Sequence, residues 1–324
     1  HGIKVYVIPG NHDVNNPRSF KYEVDKTISI PNITPSQFSD IYKNLGYSEA
    51  LERDSNSLSY VAEPVDGLWL VALDTCRYRE NKQGGEEIIS GKFLQSQEKW
   101  LEEVLKKAQK AKKAVMVMEH HGLVEHWNGQ AKLHPDYLVE DYKYIGKLLA
   151  SYGVRLAFTG HYHAQDIAMA DFNSDGVIYD IETGSLITAP CPVRYLTIAG
   201  NNMRVATDNL VSKLHPGTEY EKNAEQFVYD SVKRETINVL LKYFVPKNDA
   251  GYIADHMATA FCAHYRGDEN ASDRPAFDES KLNFWSRFIC SHEKYIIDGL
   301  WNDLPPEDNN TVIDLGREGV KAVH

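Results

Sequence analysis

Three short loops hold the side chains best suited to chemistry: Gly10-Asn11-His12-Asp13, Glu119-His120-His121-Gly122 and Gly160-His161-Tyr162-His163. Each follows an apolar run, Ile3 to Ile8, Ala114 to Met118 and Val154 to Phe158, so all three are expected at strand ends. A strand end holds a side chain rigidly while the next loop faces solvent, which is what a catalytic metal site needs. Imidazoles at i and i+2 can converge on adjacent ions where the backbone bends just past a strand. The Asn11 amide oxygen adds a neutral hard donor. Such a mixed N/O set suits Zn, Fe, Mn or Co better than a thiolate site would, and none of the four cysteines lies in these loops.

Taken singly, each motif has a plainer reading. A lone N-H-D after glycine is commonly a turn, and His120 and His121 could be one hydrogen-bonded buried ring and one solvated ring. Together, in this order and each at a strand end, they point to a metal or phosphoryl site.

The surrounding pattern supplies the elements that must position these loops. Thr34-Pro35 reads as a helix start, with Phe38, Ile41, Tyr42 and Leu45 on one face and Gly46 as the stop. Leu58 to Val61 and Leu68 to Leu73 flank a turn at Pro64-Val65-Asp66-Gly67, giving a hairpin. Leu94, Trp100, Leu101, Val104, Leu105 and Ala108 recur at helical spacing, and a further helix is expected over Tyr137 to Ser151. Strands at Gln165 to Met169, Val177 to Ile181, Arg194 to Ile198 and Met203 to Ala206 follow without helices. Beyond them, Glu219 to Val245 has no Gly or Pro and carries an apolar stripe from Phe227 to Phe244, expected to pack on the sandwich or on a second copy. Helices are also expected over Gly251 to His264 and Lys281 to Gly299, and Pro305 to Asn310 reads as a loop or mobile tail.

With 324 residues the chain is long enough for one large domain or two ordinary ones and buries a sizeable core without staples. Its net charge of −11 disfavours nucleic acid or an anionic membrane as a partner, and no run approaches the ~20 apolar residues of a spanning helix. Cys76, Cys191, Cys262 and Cys290 form no C-x-x-C pair.

G-N-H-D, then a strand-end histidine, then G-H-x-H resemble the last three blocks of the calcineurin-like metallophosphoesterase superfamily, which includes the purple acid phosphatases. The resemblance spans His1 to about Asp208, and Pro9 to Asn16 with Glu182 to Leu186 are similar to a bacterial branch. It implies an α/β fold of the α+β kind: a two-sheet sandwich flanked by helices over residues 1–212, followed by a helical C-terminal unit over 213–302 and a tail over 303–324. The expected activity is hydrolysis of a small phosphomonoester or phosphodiester by a metal-activated water at a binuclear site. The cofactors would be two divalent transition-metal ions, Mn, Fe, Zn or Co. By resemblance Asn11, His120 and His161 bind one ion and His163 helps bind the other, with His120 taken over His121 because the family ligand comes first in the pair. His12 contacts the phosphoryl oxygen or leaving group, and Asp13 orients its ring.

The family's D-x-H and G-D-x-x-D blocks do not occur upstream of Gly10, so the native N-terminal portion is expected to lie outside this chain. Asp74 reads as a structural or substrate-side loop residue. His126, Tyr162 and Arg194 are further candidates for substrate contact, with selection expected in the Glu125 to Pro135 loop, and Asp166 for a hydrogen bond to a ligand imidazole. Cys262 and Cys290 on neighbouring expected helices, with the export common among similar proteins, lean towards a periplasmic or secreted enzyme. Two readings compete with the phosphoesterase. One is a non-catalytic binding or scaffold protein keeping the fold with an incomplete metal site. The other is a mononuclear histidine-ligated hydrolase, which would need a water-activating glutamate, whereas Glu119 points away from His120 on an extended strand.

Overall fold

The computed structural model describes residues 2–82 and 84–316. Residues 2–10 are extended but join no sheet. The expected strand from Ile3 to Ile8 is therefore corrected: a strand needs a ladder of partner groups, and this segment is held by a side chain instead. The Tyr60 hydroxyl accepts from the Val7 amide at 3.1 Å and donates to the Val7 carbonyl at 2.9 Å, while Val7 N–H also reaches Leu45 O at 3.2 Å. Tyr6, Val7 and Ile8 pack against the core, whereas Ile3 and Val5 stay exposed.

A small hairpin, β1 (Phe20–Glu23) and β2 (Lys26–Ser29), precedes α1 (Pro35–Ile41). The α1 start is as expected: Thr34 Oγ1 accepts from the Gln37 amide and the Gln37 side chain returns to the Thr34 amide. The chain then turns through 43–47, where Gly46 has φ 112°.

The large sheet begins with β3 (Glu52–Arg53) and the predicted hairpin of β4 (Tyr60–Val65) and β5 (Leu68–Leu73). Next come α2 (Gln95–Lys110), β6 (Ala114–Glu119), the short α3 (Gln130–Leu133), α4 (Tyr142–Ser151), β7 (Leu156–Thr159), β8 (Asp166–Asp171) and β9 (Val177–Glu182). The helix expected from Tyr137 starts only at Tyr142, because Leu138 and Val139 bridge in an extended conformation to Gly122 and Gly91. The strand order is β3-β4-β5-β6-β7-β9-β8, with β5, β6, β7 and β9 parallel and the outer strands antiparallel. One face is covered by α2 and α4, which bury Leu101, Val104, Leu105, Ile145 and Leu149 against Val71, Val117 and Ile178.

The second sheet joins β10 (Pro192–Ala199), β11 (Asn202–Asn209) and β12 (Asn310–Asp314), all antiparallel, and it packs Met203, Val205 and Ile313 on Leu156, Ile167 and Ile181 of the large sheet's other face. The expected tail is thus corrected in part: Pro305 to Asn309 is a loop, but Asn310–Asp314 closes the small sheet along β11. The rest of that expected tail, residues 317–324, lies outside the described residues.

Between β11 and β12 run α5 (Leu210–Leu214), α6 (Glu219–Lys242), α7 (Lys247–Arg266), α8 (Phe284–His292) and α9 (Lys294–Leu300). The α6 stripe lies along α7, and Phe227, Tyr243 and Phe244 remain exposed. Residues of α7 and α9 close over Trp127, which is buried with Ala260, Ile296, Leu300 and Trp301. Cys262 and Cys290 are free thiols, as are Cys76 and Cys191, so the pairing that supported export is not formed. Among the described residues, no helix is long and apolar enough to cross a membrane.

Gly46 supplies a direct test of this packing. A Cβ there would lie 2.3 Å from the Tyr60 hydroxyl, the same group that ties Val7, and the positive φ already disfavours other residues. Gly46→Ala should lower unfolding free energy by roughly 1–3 kcal/mol in urea denaturation. An unchanged midpoint would show that the Tyr60 contact yields freely.

Candidate metal centre

Strands β6 and β7 run in the same direction, pairing Val117 with Ala157 and Met118 with Phe158, so their carboxyl ends finish side by side. In open sheets that edge is where ligands bind. His120 and His121 step off β6, and Gly160 and His161 step off β7. The Gly160 amide donates to the His120 carbonyl at 3.1 Å and ties the two loops together. The His161 ring centroid then sits 4.6 Å from that of His120 and 4.5 Å from that of His121. His161 and His163 both take left-handed conformations, φ 73° and 67°, of the kind that costs roughly 1–3 kcal/mol per residue and persists only where the surroundings dictate it.

The third loop closes on itself. Gly10 N–H donates to Asp13 Oδ2 at 2.7 Å, Asp13 N–H returns to Gly10 O at 3.1 Å, and Cys76 Sγ holds Pro9 O at 3.2 Å. This presents Asn11, which is buried, with Oδ1 2.8 Å from His120 Nε2. A Cβ on Gly10 would lie 3.0 Å from the His120 ring, so glycine permits the approach.

These donors fit a metal ion. Two cis ligands on an octahedral ion with bonds of ~2.1 Å lie about 3 Å apart, close to the Asn11 to His120 separation. His161 Nε2 is buried with no hydrogen-bond partner, an omission worth about 1–3 kcal/mol unless something takes it up. Burial, then the facing histidines, push His120 down to about 3 and His161 further, leaving the neutral imidazoles that ligate metals.

His121 stands in the same cluster but has no free nitrogen. Its Nε2 lies 2.8 Å from the Ile89 carbonyl, which can only accept, so Nε2 carries the proton and Nδ1 accepts from the Thr75 hydroxyl at 2.7 Å. Choosing His120 over His121 is consistent with this geometry. His163 lies beside the cluster, with Nδ1 3.0 Å from Thr188 Oγ1 and its pKa lowered by burial and by His12.

Other expectations change. Asp13 does not orient His12, because its carboxylate closes the loop on Gly10. His12, with a side chain 61% exposed, instead has Nδ1 3.5 Å from Glu87 Oε1, and Glu87 also meets Arg18 Nε at 3.3 Å. No motif marks Glu87 in the sequence. Asp74 is structural: it accepts from Leu58 N, Cys76 N and the Tyr78 hydroxyl.

Of the residues expected to meet substrate, His126 and Tyr162 are interior and Arg194 is half-buried. The Glu125 to Pro135 loop seats the C-terminal helices, which bury its His126, Trp127 and Gln130 while Asn128, Lys132 and Pro135 stay exposed. His126 Nδ1 bonds Asp166 Oδ1 at 2.6 Å, so Asp166 holds this histidine and not a ligand imidazole of the cluster. The Tyr162 hydroxyl meets His134 Nδ1 at 2.9 Å. Arg194 donates to the carbonyls of Glu182 and Asp308, and burial lowers its pKa to about 10.

The calcineurin-like phosphoesterase family model matches residues 1–165, just over half of the sequence and the part that carries all three loops. The chain belongs to that family. A search of curated proteins returns no match. Among solved structures, a dimetal phosphatase from Danio rerio is 16% identical over 46% of this chain and 57% of its own, with a TM-score of 0.36. A purple acid phosphatase from yellow lupin seeds is 12% identical over 62% of this chain and 37% of its own, with a TM-score of 0.37. The chain thus spans less than two thirds of either neighbour.

The cluster makes stability depend on pH. In chelator-treated protein His121, pushed down by burial to about 4, binds its proton in the unfolded chain near 6.5 but in the fold only near 4. The unfolded state therefore takes up more protons in that window. Stability is lost as pH falls from 6.5 to 4, at up to about 1.4 kcal/mol per pH unit for each such histidine. Urea denaturation of His121→Gln across that range should give a shallower slope than the parent. Parallel slopes would refute the assignment.

Proposed function

We propose that this chain is a metal-dependent phosphoesterase that hydrolyses phosphomonoesters or phosphodiesters at a binuclear site. In this reading one ion is held by Asn11, His120 and His161, and His163 contributes to the second. The observation that carries it is the convergence of three neutral N/O donors from three loops, one with a buried unpartnered nitrogen, in a chain of this family. When bound, such ions lower the pKa of water and draw charge from phosphoryl oxygens.

The chain's own residues do the rest. Gly10 lets Asn11 approach His120, and the Gly160 to His120 hydrogen bond keeps the two histidine loops in register. Thr188 Oγ1 holds the His163 ring at Nδ1, so Nε2 would be the nitrogen that ligates in this reading. His12, exposed and backed by Glu87 at Nδ1, is placed to give a proton from Nε2 to the departing alkoxide.

His12→Ala should lower kcat for a nitrophenyl phosphate ester by roughly 10²–10⁴ while leaving bound metal unchanged. His120→Ala and His161→Ala should lose metal together with activity. Equal metal loss in all three variants would sink the division of roles. A wild-type chain that takes up no metal at these residues would favour the binding-protein reading.

A further inference from the structure

A second group of ligating side chains lies where the C-terminal helices meet the sheet, built from residues that the phosphoesterase reading does not use. Asp166 opens β8, His264 ends α7, and Glu269 follows in the next loop; all three are buried. They offer donor atoms that lie within 4.8 Å of one another. His264 Nδ1 is 3.4 Å from Asp166 Oδ2 and contacts Glu269 Oε1 directly. Two ligands on a tetrahedral ion with bonds of ~2.1 Å are about 3.4 Å apart.

A second, independent observation points to a ligand. Asp166 Oδ2, Glu269 Oε2 and His264 Nε2 are buried with no hydrogen-bond partner, as are Glu182 Oε1 and His126 Nε2 beside them. Native interiors rarely leave one such atom unmet, let alone five in one place. Five buried carboxyl groups, Asp166, Asp180, Glu182, Glu269 and Asp308, gather here with the imidazoles of His126 and His264 and the Arg194 guanidinium, and burial raises Glu182 to about 8 and Asp308 to about 10. Unpaired buried carboxylate oxygens are costly, and a divalent cation between Asp166, His264 and Glu269 would take up the orphaned Asp166 Oδ2 and Glu269 Oε2.

We propose that Asp166, His264 and Glu269 bind a divalent first-row transition ion of the zinc or manganese class. Two carboxylates and one imidazole, with no thiolate, match that class of ion. The ligands come from both sides of a junction, β8 on the sheet and α7 with its following loop on the C-terminal side. The ion therefore fastens the helical unit to the phosphoesterase domain, and its binding energy contributes to folding. His126, held by Asp166 through its other oxygen, orients that ligand from behind.

The test uses the full chain with His120→Ala and His161→Ala, which disables the first cluster and leaves this one intact. After chelator stripping, reloading with zinc chloride and desalting, mass spectrometry of the metal should find about one zinc per chain, and zinc should raise the melting temperature. Adding Glu269→Gln, similar in size, should abolish both effects. The same loss of one equivalent should appear when Glu269→Gln is made in the otherwise native chain, whatever metal the first cluster holds. A double variant that retains no zinc, or a Glu269→Gln protein that holds as much as its parent, overturns the proposal. Should Glu269→Gln fail to fold by circular dichroism, the zinc content and zinc-dependent melting of the double variant decide alone.

Discussion

Parallel pairing of β6 with β7 is the constraint on which the candidate metal centre rests. It fixes the level at which the two strands end, and the Gly160 amide to His120 carbonyl hydrogen bond carries that register one step into the loops. Everything ligating at this edge follows. His120 and His161 emerge from adjacent ends, and the Asn11 loop needs only to be pressed onto them. Cys76, at the end of the neighbouring β5, does this by holding Pro9. A slip of one residue between β6 and β7 would turn alternate side chains to the opposite face and separate the two imidazoles.

The histidines at this edge divide by what occupies their nitrogens. His121 is closed at both ends by Thr75 and Ile89, so it braces the loops. His120 and His161 keep a nitrogen for the site, and His12 lies out towards solvent with Glu87 behind it. Four similar residues therefore have different chemistry, decided by hydrogen-bond partners and burial rather than by residue type.

The C-terminal helices alter the domain they cover. By closing over Trp127 they convert a loop rich in polar residues into interior, and they enclose His126, Asp166, Asp180 and Glu182 beneath α7. Burial there pushes Glu182 up to about 8, while the carboxylates of Asp166 and Asp180 raise His126 well above the ordinary histidine range even though burial opposes its charge. Such a junction joins the apolar cluster around Trp127 to a group of buried charged side chains. It resists rearrangement only while its polar atoms are satisfied.

Local pattern sufficed for much of the fold. Thr34-Pro35 starts a helix, Asp66-Gly67 turns a hairpin, and α2 follows the spacing of Leu101, Val104 and Leu105, because capping, turn geometry and helical periodicity act over a few residues. The three loop motifs were legible for the same reason, and the structure brings Asn11, His120 and His161 of those loops together, two of the loops at strand ends. Partners distant in sequence decided the rest. Ile3 to Ile8 looks like a strand, but a strand exists only where another offers its ladder, and here a tyrosine from position 60 takes that place. Asn310–Asp314 reads as tail until β11 pairs with it. His126 and Tyr162 read as substrate contacts and are interior, Arg194 is half-buried on backbone carbonyls, and Glu87, His264 and Glu269 carry no motif at all. Their roles depend on which segments close over them, and burial is a property of the folded chain that no local run of residues encodes.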